Sequence, residues 1–174
     1  MNRKWAAIGI LGVLLSAQAA QAGWTPAKRL TWTSGGSFSA AIAVGSSGLI
    51  HVVWRDDTPG NNEIYYKGSA DGGTTWSAAQ RLSWTSSVSD APAIAVDSNG
   101  TIHVTWQDST SGNVEIYYRK SADGGTTWGV SQRLTWTSGN SYLPVLAVDS
   151  TGTVHIVWRD DLPGNIEVYY KSGN

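Results

Sequence analysis

The chain of 174 residues has no cysteine, one methionine and one phenylalanine. Without cysteine there is no disulfide framework, so stability must come from packing. Charged residues make up only 14% of the chain, 12 basic against 13 acidic and scattered along it. That balance argues against a nucleic-acid or anionic-membrane partner. Long apolar runs are missing too, except for one of 13 residues at 5–17 (WAAIGILGVLLSA). A bilayer span needs about 20 residues. The run follows Arg3 and Lys4 and precedes Ala20-Gln21-Ala22, a small-x-small cleavage pattern ahead of Gly23. Residues 1–22 therefore read as a cleaved signal peptide. Residues 23–174 read as a mature chain secreted to the periplasm or beyond the cell, with no membrane insertion.

What the chain has in excess is tryptophan, ten in all, and repetition. His51, His103 and His155 are spaced by 52 residues, as are Trp54, Trp106 and Trp158, and Trp32, Trp84 and Trp136. Residues 24–75 and 76–127 are identical at 33 of 52 positions, and a third copy occupies 128–174. A fixed period of this length marks a repeat architecture.

Each period reads as short strands parted by turn residues, without helical periodicity. In the second copy, residues 92–100 (PAIAVDSNG) form an apolar run closed by an Asp-Ser-Asn-Gly turn. Residues 101–108 alternate, with Ile102, Val104 and Trp106 on one side. After the turn STSGN, residues 114–120 (VEIYYRK) are β-branched and aromatic, and SADGG leads into TTWGVSQRLTW as a fourth strand. Four antiparallel strands per repeat predict an all-β chain of propeller blades.

SADGGTTW occurs twice, at residues 69–76 and 121–128. It resembles the Asp-box motif S-x-D-x-G-x-T-W of sialidases and of non-enzymatic propellers with BNR repeats. The resemblance spans the mature chain and implies the sialidase-like propeller fold. It assigns structural work to Ser69, Asp71, Gly73 and Trp76 and to Ser121, Asp123, Gly125 and Trp128. The physics agrees. The aspartate can accept bonds from its own turn, glycine permits positive φ, and tryptophan returns a large apolar surface to the blade.

Propellers close with about 4–8 blades, whereas three copies are present here. The first copy begins on a fourth-strand sequence (TPAKRLTW), and the third shows strands one to three. Two copies of the chain exchanging fourth strands would complete a ring of six blades, and this homodimer is the expected assembly. The alternative is a fragment of a longer array.

One loop face of such a blade carries Arg55-Asp56, Gln107-Asp108 and Arg159-Asp160, followed by Glu63, Glu115 and Glu167, with Trp32, Trp84 and Trp136 opening the adjoining loops. Tryptophan beside arginine and carboxylates suits a sugar, the indole stacking and the polar groups gripping hydroxyls. Gln107 apart, these eleven residues are the candidate carbohydrate site; ordinary solvated turns and blade packing are the competing reading. Sialidases would add an arginine triad, a Tyr–Glu nucleophile pair, an aspartic acid/base and an R-I-P motif. No R-I-P occurs, and Gln107 stands where a middle arginine would. Copies of one loop place like groups symmetrically, while catalysis needs unlike groups converging on one bond. A carbohydrate-binding or scaffold module is the favoured expectation, and a sialidase-like exo-glycosidase is the alternative. The three histidines, on separate blades, are too far apart to share a metal, so no metal or cofactor is expected.

Overall fold

The β-branched and aromatic runs of each repeat become strands, and the Gly, Asn and Asp clusters between them become turns. A computed structural model describes residues 23–162 and 164–174, so the signal-peptide expectation lies outside the described residues. Residues 23–30 are the described part of a first unit and hold no strand; all strands belong to the second unit, Thr31–Asn174. Among the described residues no helix is long and apolar enough to cross a membrane.

The first sheet contains β1 (Ser37–Val44), β2 (Ile50–Asp56), β3 (Glu63–Ser69) and β4 (Gln80–Arg81), in that order and antiparallel throughout. The second repeats it with β5 (Ser89–Val96), β6 (Ile102–Asp108), β7 (Glu115–Ser121) and β8 (Gln132–Arg133). The third has three strands, β9 (Ser141–Val148), β10 (Val154–Asp160) and β11 (Glu167–Gly173), with β11 paired only to β10.

Two departures from the sequence pattern have physical causes. The fourth strand shrinks to two paired residues, although Gly129 N still reaches Lys120 O and Leu134 N reaches Ile116 O at its two ends. Between those points side chains replace the ladder. The Arg119 guanidinium donates to Gly129 O and Trp128 O and also crosses to Leu82 O of the first sheet, at 2.7 Å. The alternation expected in residues 101–108 disappears into burial of both faces, His103 and Thr105 as well as Ile102, Val104 and Trp106. The central sheet is covered on both sides, so no strand face of β6 meets water.

The cores accordingly lie between sheets. Val53, Ile64, Tyr66 and Leu82 of the first pack against Ile94, Ile102, Val104 and Trp106 of the second. Ile116 and Tyr118 of the second pack against Leu146, Val154, Ile156 and Trp158 of the third. Each fully buried aliphatic side chain contributes about 1.5–3 kcal/mol, so the repeat is stable through its neighbours rather than alone. The first strand of every sheet carries a left-handed residue at one repeat phase: Ser39 (φ 52°), Ala91 (φ 49°) and Leu143 (φ 47°). A β-bulge accompanies it in each case, shifting the register against the second strand.

Candidate functional site

The hairpin joining strands two and three ends in an Asp–Glu pair in register, Asp56↔Glu63, Asp108↔Glu115 and Asp160↔Glu167. Five of these six carboxylates are buried, and Glu167 alone is exposed. Asp56 accepts from Ser37 Oγ at 2.8 Å, Trp54 Nε1 at 3.2 Å and Thr58 N at 3.0 Å. Asp108 does the same with Ser89, Trp106 and Thr110, and Asp160 with Ser141, Trp158 and Leu162. Burial opposes ionisation of Asp56, but the donated bonds from Thr58, Ser37 and Trp54 outweigh it and hold the carboxyl below its ordinary range.

Glu63 ties the hairpin to the connection that leaves β4. It accepts from Arg81 Nη2 at 2.6 Å, Thr85 N at 2.9 Å and Asn61 Nδ2 at 3.0 Å, and also from Ser83 Oγ. Glu115 repeats this with Arg133, Thr137 and Asn113. Asn61 Nδ2 also donates to Thr85 O and Ser87 O, which pins the two loops together. Both carboxylates are buried loop clamps; Glu115 makes its bonds through Oε1, and its Oε2 is buried without a hydrogen-bond partner.

Arg55 is also committed. It donates to Asp90 across the sheet boundary at 3.0 Å and lies 4.5 Å over the Phe38 ring. The equivalent Gln107 reaches the next sheet, its Oε1 accepting from the backbone N–H of the bulge residue Leu143 at 2.9 Å. Arg159 is exposed.

The tryptophans behave differently. Trp32, Trp84 and Trp136 are 69%, 64% and 67% exposed, so most of each indole faces water. The Trp84 ring has Arg81 Cζ at 5.9 Å and Arg119 Cζ, from the next sheet, at 5.6 Å. The Trp136 ring has Arg133 Cζ at 5.9 Å and Lys171 Nζ at 5.5 Å. Lys67 stands 5.7 Å from the Trp32 ring. These distances are within cation–π range. Arg119 donates to Leu82 O and Lys171 to Leu134 O, which anchors both cations beside the indoles. Trp84 and Trp136 therefore each stand where two sheets meet, beside one cation of the sheet before and one of the sheet after, while Trp32 stands beside Lys67 of the first sheet. Of the eleven candidate residues, the structure connects Trp84 to Glu63 through Arg81, and Trp136 to Glu115 through Arg133. Arg55 and Asp56 are directed elsewhere. Sequence reasoning passed over Arg81 and Arg133, though their recurrence at one phase of the repeat was a usable signal.

The SADGGTTW turns are self-contained. Asp71 accepts from Thr75 Oγ1 at 2.6 Å and Thr75 N at 2.8 Å, and from Ser69 Oγ at 2.9 Å; Asp123 repeats all three. The threonine hydroxyl and amide hold both carboxyls at a pKa of about 2. The second turn also docks on the first sheet. Trp128 meets Tyr66 edge-on at 5.0 Å, and Gln80 Nε2 donates to Gly125 O at 2.8 Å. Tyr66 Oη bonds His51 Nδ1 at 2.8 Å and donates to Gly124 O at 3.2 Å. Burial pushes the Tyr66 and Tyr118 phenols up to about 12 and lowers His51 and His103, favouring neutral rings. Among the described residues no three His, Asp or Glu side chains gather to hold a metal.

Solved structures with this arrangement are numerous. A sialidase named Hadza microbial sialidase matches with a TM-score of 0.64 at 14% identity, over 79% of this chain and 35% of its own. An α-L-arabinofuranosidase of Fusarium graminearum matches at 0.61 and 17% identity, over 78% and 45%. An endo-arabinase of Bacteroides thetaiotaomicron matches at 0.55 and 18% identity, over 79% and 56%. The fold is that of a β-propeller. The described sheets are blades of it, and the chain spans about a third to somewhat over half the length of those propellers. No protein-family model and no curated sequence matches the chain.

Proposed function

We propose that the protein is a secreted carbohydrate-binding propeller module of the Asp-box type, with binding centred on Trp32, Trp84 and Trp136. The observation that carries this reading is an indole about two-thirds exposed at one phase of every repeat. Large apolar side chains in water are unfavourable, and the blade cores do not use these three. A flat, largely exposed aromatic surface suits the apolar face of a pyranose ring, and the cations 5.5–5.9 Å from the ring centres hold the indoles in place. Similarity in fold to propellers named for sialidase and arabinan-cleaving activities supports a carbohydrate ligand.

Binding rather than hydrolysis is favoured by the state of the carboxylates. A glycosidase needs two acids facing one bond, and Asp56, Asp108, Asp160, Glu63 and Glu115 are buried in loop-closing bonds. Equivalent sites on one rigid body also give avidity without any strong single site. The test is a glycan array with wild type and the Trp84→Ala/Trp136→Ala variant, beside a fluorogenic sialoside assay. Glycan retention by wild type and its loss in the variant is the expected result. Turnover of the sialoside would replace the binding reading with the exo-glycosidase one, and silence in both assays would leave a scaffold.

A further inference from the structure

Among the described residues the three sheets leave two apolar surfaces open, one at each end of the row. On the side of the first blade that faces away from the second, Ile42 is 64% exposed, while its copies Ile94 and Leu146 are each 9% exposed against a preceding blade. On the far side of the third blade, Val168 and Tyr170 are 75% and 60% exposed, while their copies Ile64, Ile116, Tyr66 and Tyr118 lie between 0% and 7%. The first of these surfaces is what the second and third blades present to the blade before them. The other is what the first and second blades present to the blade after them.

The edge strand β11 shows the same incompleteness at finer scale. In the first blade β3 receives Gln80-Arg81, with Tyr65↔Arg81 and Tyr66↔Gln80 in register and Leu82 N bonded to Ile64 O at 2.7 Å. Arg81 then pairs with Glu63 at 2.6 Å. The second blade repeats every element through Gln132, Arg133, Leu134 and Glu115. On β11 the acceptors are present as Val168, Tyr169, Tyr170 and the exposed Glu167, but the third sheet has no fourth strand. The matching donor sequence is Lys28-Arg29-Leu30, at the repeat phase of Gln80-Arg81-Leu82.

We propose that residues 24–32 of a second copy of this chain supply that strand reciprocally, closing two chains into one ring of six blades. Six lies inside the usual range of about 4–8. Lys28, Arg29 and Leu30 of one copy lie along β11 of the other, Arg29 beside Glu167 and Tyr169. Trp24, at the phase of Trp128, takes the groove beside Tyr118, Gln132 and Leu134, as Trp128 packs on Tyr66. The Asp-box turn at residues 69–76 seats on the partner blade's Tyr170 as the turn at 121–128 seats on Tyr66. One consequence reaches the ligand site. The clamp linking Trp84 to Glu63 has its counterpart at Trp32 only when one copy contributes Trp32 and Arg29 and the other Glu167. A closed reciprocal exchange also hides the exposed strand edge, which otherwise templates open-ended association.

The chain lacks cysteine, so engineered thiols report on one contact without background. Tyr65↔Arg81 is a non-hydrogen-bonded pair, since Leu82 N bonds Ile64 O beyond it. Such pairs have Cα atoms about 4.5 Å apart, close enough for a disulfide. The full-length secreted protein is first sized by light scattering, and then Arg29→Cys and Tyr169→Cys are oxidised singly, mixed and combined. Twice the monomer mass is expected. A covalent dimer should form from the double variant and from the mixture of single variants refolded together, with none from either alone. A folded monomer at every concentration, polymers larger than a dimer, a disulfide closed within one chain, or a dimer that never cross-links would each overturn the proposal.

Discussion

Gly124 and Gly125 are neighbours in one turn, both left-handed (φ 69° and 89°), yet they should respond very differently to alanine. A Cβ at Gly124 meets nothing within 4 Å. A Cβ at Gly125 falls 2.5 Å from Tyr66 Cε1 and Cζ, and closer still to the hydroxyl. Holding a non-glycine residue in the left-handed region costs about 1–2 kcal/mol, partly offset by about 0.4–1 kcal/mol from a stiffer unfolded chain. Gly124→Ala should therefore lose only about 1 kcal/mol. Gly125→Ala adds overpacking of about 1–3 kcal/mol. It also costs about 1 kcal/mol for each bond that Tyr66 gives up, to His51 or to Gly124 O. The total for Gly125→Ala is about 3–6 kcal/mol. Urea unfolding followed by tryptophan fluorescence measures both, with Tyr66→Ala completing a double-mutant cycle. Strong positive coupling should appear between Gly125→Ala and Tyr66→Ala, with none for Gly124→Ala. Equal losses at the two glycines would refute the claim that the second turn is a docking surface for the first blade.

Tyr66→Phe should cost about 1–2 kcal/mol, because it strands buried His51 as well as removing two bonds; the urea midpoint reports it. Asp71 and Asp123 are held at about 2, below the usual carboxylate value of about 3.9. Their contribution is complete above about pH 4 and disappears as pH falls towards 2. The Asp71→Asn/Asp123→Asn protein should melt lower than wild type at pH 7, with the gap closing at pH 2.5 in a thermal scan. Trp84→Ala and Trp136→Ala should leave the urea midpoint within about 0.5 kcal/mol of wild type, as surface changes do. A larger loss would mean that the indoles serve packing rather than a ligand.

The strand plan of each repeat was legible because hydrophobic pattern and turn chemistry are local. The runs around His51, His103 and His155, the Tyr-Tyr strands and the Gly-Asn hairpins all form where the residues predict. The site was legible only in part. Trp, Arg, Asp and Glu recur in the loops on equal terms in the sequence, and nothing local distinguishes a clamp from a ligand group. Glu63 became a clamp because Arg81, Ser83 and Thr85 arrive from residues about twenty further along and saturate its oxygens. Trp84 stayed in water, outside both blade cores, with Arg119 of the next blade 5.6 Å from its ring. Identical residues also ended in different environments: Tyr66 is buried and Tyr170 exposed, for one has a following blade and the other has none. The period, the strands and the residues that each blade offers to its neighbours follow from local residue chemistry alone. The tertiary structure decided which of those offers were taken up inside the chain, because burial depends on what packs across the sheet.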